Sequence, residues 1–92
     1  MKHAGSDALE RLLPLLTNLR ALTSPLVERK PGVFYLRAKA CLHFHDDPTG
    51  LFADLRLSGD DFDRFPVTTT AQQRALVATI KKHFNLPRVL DR

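Results

Sequence analysis

The side chains with the chemistry to hold a metal or move a proton sit close together: His43 and His45, two positions apart, and Asp54 beyond a turn. Residues at i and i+2 of a strand project from one face. Two imidazoles and a carboxylate form a donor set that a divalent ion such as zinc accepts. The same three could transfer protons, with His43 as base and Asp54 orienting it. Cys41 extends the row at one end, and Asp46 and Asp47 at the other. A Cys41–His43 nucleophile pair is the weaker reading, since same-strand neighbours point alongside each other and nothing supplies an oxyanion site. Two histidines at this spacing are also common on an ordinary solvated strand face, and a lone cysteine reads as a small packed side chain.

Whether these groups meet depends on strand pairing. Leu42 and Phe44 alternate with Cys41, His43 and His45. After Asp46-Asp47-Pro48-Thr49-Gly50 the alternation resumes, with Leu51, Ala53, Leu55 and Leu57 set against Phe52, Asp54 and Arg56. Alternation marks half-buried strands, and Asp, Pro and Gly together are turn chemistry. A one-residue slip would send each apolar side chain to the wrong face. The register that buries both apolar sets opposes Asp46 to Leu51, Phe44 to Ala53 and Leu42 to Leu55. It also sets His45 against Phe52, His43 against Asp54 and Cys41 against Arg56.

The elements that carry this hairpin follow from the flanking sequence. Val33–Arg37 is a third strand whose register stays open: a two-residue turn at Ala38-Lys39 turns Val33 and Tyr35 inward, a three-residue turn Phe34 and Leu36. Leu26–Lys30 is a charged edge strand. Met1–Gly5 reads as a frayed tail. Asp7 and Glu10 match a capping box ahead of a leucine-rich helix, in which Pro14 predicts a kink or a start near Leu13. Its leucines cover about half the circumference, wider than the usual ~100° stripe, so the Leu15 edge suggests a homodimer contact. In 60–67, Phe62 and Phe65 sit three apart, which favours a turn of helix over an extended segment. Thr70 and Gln73 predict the cap of a last helix whose apolar face is Leu76, Val77, Ile80 and Phe84, ended by Asn85 and Pro87. The fold class is α+β: a three- to four-stranded antiparallel meander with an N-terminal and a C-terminal helix packed on one face, forming a single domain over 1–92.

Composition bounds the function. Hydrophobic residues at 43% and charged residues at 26% describe an ordinary globular chain. The apolar runs are too short to span a membrane, and the first residues lack the apolar stretch of a secretory signal. One cysteine permits no internal disulfide, which suits a cytoplasmic location. A net charge of +4 admits nucleic acid as a partner, with Arg37, Lys39, Lys81 and Lys82 as phosphate contacts, although the basic residues are dispersed and broken by aspartates. There is no phosphate loop, nucleophile elbow or CxxC pair, and no cofactor is implied.

The order helix, Pro31-Gly32, strand, Arg37-Ala38-Lys39, strand, turn, strand, helix resembles small bacterial α+β domains. Over Leu26–Leu57 it is similar to the N-terminal domain of the competence-regulator TfoX family and to YjbR-like domains, which carry an Arg-Gly-Lys type of turn. Ala38 stands in place of that glycine. The resemblance implies the α+β fold, and DNA as a partner by analogy of shape.

The leading functional reading is a protein-interaction or regulatory module that uses the exposed sheet face: Cys41, His43, His45, Phe52, Asp54 and Arg56. Nucleic-acid binding is the alternative. A metal-dependent enzyme built on His43, His45 and Asp54 is the second alternative.

Overall fold

The computed structural model describes residues 2–86. In chain order the elements are β1 (Lys2–His3), α1 (Ser6–Arg11), α2 (Leu13–Ala21), β2 (Leu26–Lys30), β3 (Val33–Leu36), β4 (Lys39–Asp47), β5 (Gly50–Leu55), β6 (Asp63–Pro66) and α3 (Thr70–His83). The sheet is antiparallel with the order β2-β3-β4-β5-β6, and β1 pairs with β4. This is the expected α+β architecture, with more strands than the meander alone supplies.

β4 and β5 pair as the alternation requires: Leu42 faces Leu55, Phe44 faces Ala53 and Asp46 faces Leu51. Both strands run further into the turn than expected, to an Asp47–Gly50 pair, leaving only Pro48-Thr49 between them. Asp47 steadies that turn by accepting from the Thr49 amide at 3.0 Å and from its hydroxyl at 2.6 Å.

The core forms on the Leu42/Phe44 face. Leu42, Ala53, Leu55, Leu12, Val67 and Ile80 are fully buried, and Leu15, Leu16, Leu19 and Leu76 join them. Leu15 is therefore core, not a surplus edge; the exposed leucine of α2 is Leu13. The N-terminal helix breaks at Leu12, and Pro14 falls in the first turn of α2, where its missing N–H costs nothing. Gly5, not Asp7, is the N-cap of α1, with no side-chain bond.

Four further details differ from expectation. The β3–β4 turn is Arg37-Ala38, with Leu36 opposite Lys39; Arg37 takes the left-handed conformation (φ 60°) that a glycine would normally supply. The register slips between Phe34 and Tyr35, so Phe34 turns inward while Cys41 and Leu42 are both buried. The capping box of α3 is Thr69 with Gln72, one residue earlier than the Thr70–Gln73 pattern. Residues 63–66 form strand β6 on the open edge of β5, not a turn of helix: Phe65 faces Ala53, and Phe62 stays exposed. Pairing along β5 outweighs the helical spacing of the two phenylalanines, because an unpaired edge leaves a row of backbone groups unsatisfied.

Helix α3 ends as Asn85 predicts. Asn85 is left-handed (φ 51°), and the amides of Asn85 and Leu86 bond Lys82 and Lys81 carbonyls at 3.2 and 2.9 Å. Pro87 lies outside the described residues. No helix among the described residues is long and apolar enough to cross a membrane.

Candidate metal centre

The second face of β4 carries His43 and His45, as strand parity requires. The strand partners decide what joins them. On one side β5 places Asp54 opposite His43 and Phe52 opposite His45. On the other, β3 covers β4 only as far as Leu42, and β1 takes over beyond it, with His3 directly opposite His45 and the Ala4 amide bonded to the Phe44 carbonyl at 3.1 Å. Lys2 and His3, within the stretch expected to be a tail, thus form a strand and bring a third imidazole to the pair.

The three rings pack together. His3 and His45 are 4.9 Å apart between centroids, His43 and His45 4.9 Å, and His3 and His43 5.5 Å. One ring nitrogen from each lies within 4.8 Å of the others. Nitrogens on one tetrahedral zinc, at about 2.0–2.1 Å from the ion, stand about 3.3–3.4 Å apart. The largest spacing in the cluster therefore exceeds that of a formed site by about an ångström and a half.

Three nitrogens of this cluster are buried without a hydrogen-bond partner among the described residues: His43 Nδ1, His45 Nδ1 and His45 Nε2. A buried polar atom left unpaired costs roughly 1–3 kcal/mol. His45 Nε2 does lie 2.9 Å from Asp54 Oδ2, but without the alignment of a hydrogen bond.

Asp54 is held from behind. Arg64 on β6 forks onto it, Nε to Oδ1 at 2.8 Å and Nη2 to Oδ2 at 3.0 Å. The Arg64 hydrogen bonds hold the Asp54 carboxyl below its ordinary range, against the opposing effect of burial. Asp54 is thus engaged by Arg64 and stands beside His45, outside the cluster of three imidazoles. Burial pushes the His43 imidazole below its usual value; His45, His3 and Arg64 push the same way, and Asp54 partly opposes them. A neutral imidazole is the form that binds metal.

These two shifts predict an acid-side loss of stability. Groups whose folded values are depressed stabilise the fold above their unfolded values, 6.5 for His43 and 3.8 for Asp54, and lose that contribution as pH falls through the folded values. In metal-free protein the melting temperature should decline with acid from just below pH 6.5, through His43, and again through the carboxylate range. His43→Gln should remove the first decline; an unchanged profile would contradict the burial of His43.

The remaining expected site residues divide. Cys41 is buried and its Sγ donates to the Arg56 carbonyl at 2.9 Å, so it offers no surface to a ligand. Arg56 donates to the Ala40 carbonyl through Nε and Nη2 and lies over the Phe62 ring at 5.5 Å. Phe62 in turn packs on His43, with centroids 4.9 Å apart. Phe52 is half-buried between His45 and Pro66. Arg37 and Lys39 line one cleft with Arg56, while Lys81 lines a separate groove between α2 and α3, so no single cleft gathers the basic residues. His3 and Arg64 are the residues that sequence reasoning did not place. No family model, curated protein or solved structure matches the chain.

Proposed function

We propose that this protein is a divalent-metal-binding module, with zinc held by His3, His43 and His45 and with Asp54 and Arg64 as the supporting shell. The observation that carries the reading is that His43 Nδ1 and His45 Nδ1 are buried with no hydrogen-bond partner among the described residues, within a cluster of three imidazoles. Zinc suits neutral imidazoles, and three protein ligands with an open fourth position are the arrangement of exchangeable rather than closed structural sites. The sheet supplies the rigidity: two ligands share one strand face, and the third is fixed by backbone pairing.

The reading takes up metal binding on the His43/His45/Asp54 face, the second alternative from sequence, in place of the protein-interaction module put first. It replaces Asp54 with His3 in the donor set. Nucleic-acid binding draws less support, because the basic residues line separate clefts.

Calorimetric titration of metal-free protein with zinc tests it. A single zinc per chain is expected, and His3→Ala should weaken binding by about tenfold or more, since two imidazoles alone hold zinc poorly. Absence of binding, or an affinity indifferent to His3→Ala, would contradict the reading.

A further inference from the structure

His3 and His43 stand on the rim of a cleft of about 580 Å³. The cleft lies where β4 changes partner: β3 pairs up to Leu42, β1 pairs from His45 with the Ala4 amide bonded to the Phe44 carbonyl, and His43 falls between the two partners. Its walls are apolar, with Leu9, Val33, Phe44 and Phe62 among them. Gly32 lets Leu9 close against the backbone in this wall: its φ of +76° suits glycine, and a Cβ there would stand 2.6 Å from Leu9 Cδ2. Tyr35 and Lys30 are polar neighbours, and no Asp or Glu among the described residues lines the cleft.

We propose that this cleft binds a small carboxylic acid with an apolar body, its carboxylate taking the open position of a metal held by the three histidines. The proposal rests on the metal reading above. A metal dication at the rim and Lys30 in the wall make the cleft a site for anions, the Asp54 carboxylate beside His45 being paired by Arg64. The apolar walls select an anion with hydrocarbon attached over inorganic phosphate or acetate, which would leave those walls in water. The volume falls within the range of about 300–1,000 Å³ typical of small-molecule pockets, which favours a small ligand over a peptide or a nucleic acid strand.

Cobalt(II) in place of zinc gives visible bands that report its ligands. The probe is benzoate, with acetate for comparison. On the cobalt-loaded protein, benzoate should shift the bands and half-saturate at a concentration at least tenfold lower than acetate. Phe62→Ala, a change at a residue 41% exposed, should weaken benzoate at least fivefold more than it weakens acetate. Equal affinities for the two acids, or benzoate binding indifferent to Phe62→Ala, would overturn the cleft as the binding element. Cobalt bands that form but do not respond to benzoate would overturn the acid site alone. No cobalt bands before any acid is added would overturn the metal centre, and this proposal with it.

Discussion

Truncating Phe44 to alanine is expected to cost about 3–5 kcal/mol of folding free energy. Phe44 is 2% exposed, at the middle of the central strand, facing Ala53. Its ring fills the core under the helices, and the small residue opposite cannot grow into the cavity that would be left. Ala53 is itself fully buried, so the pair is one large and one small side chain fitted across two strands. The whole stability of a small domain is commonly about 5–15 kcal/mol, so a large fraction would go. Urea unfolding measures it directly. A variant with the wild-type midpoint would contradict the burial of this face, and with it the register that puts the histidines on the other.

Saturating zinc is expected to move stability nearly as far in the opposite direction. At a free concentration a hundredfold above its dissociation constant, a ligand specific for the folded state adds about 2.7 kcal/mol. In a domain of this size that corresponds to a rise in Tm on the order of 10–20 °C. His43→Ala/His45→Ala should abolish the rise. The metal-free double variant should be no less stable than metal-free wild type by more than about 1 kcal/mol, since it removes imidazole nitrogens that are buried without partners. That combination separates a binding role from a packing role: imidazoles that served only the fold would cost stability when removed and give nothing back with zinc.

The β4–β5 hairpin was legible because every clue in it agrees. Leu42 and Phe44 alternate, Leu51, Ala53 and Leu55 alternate, and the Asp, Pro and Gly between them can only turn. Hence His43 facing Asp54 and His45 facing Phe52 were readable without coordinates. The β3–β4 turn was not, because Arg37 adopts a left-handed conformation that no glycine or asparagine advertises, and the extra residue at Cys41 is a local irregularity with no sequence mark. Residues 63–66 misled because phenylalanines three apart suit one turn of helix, while the deciding interaction, pairing to β5, is tertiary. The Arg64 fork onto Asp54 follows only once that pairing is known.

His3 illustrates the limit most sharply. A two-residue strand has no period to detect, and a chain end with Lys, His and Gly looks like a tail. The usable signal was chemical: a third histidine in a chain that has four, of which the metal reading had already used two. The structure places His43, His45 and Asp54 together as the β4–β5 register implies; Arg64 engages the Asp54 carboxylate, and the His3 imidazole arrives from the other side of the same strand.

X-ray absorption at the zinc edge of the loaded protein tests the three-imidazole centre most directly, because it reads the ligand type and distance around the ion. The structure predicts nitrogen or oxygen neighbours at about 2.0–2.1 Å with the outer-shell scattering of three imidazole rings, and no sulfur at about 2.3 Å. That scattering should drop to two rings in His3→Ala. A shell of oxygens with no imidazole signature, or a sulfur neighbour from Cys41, would contradict it.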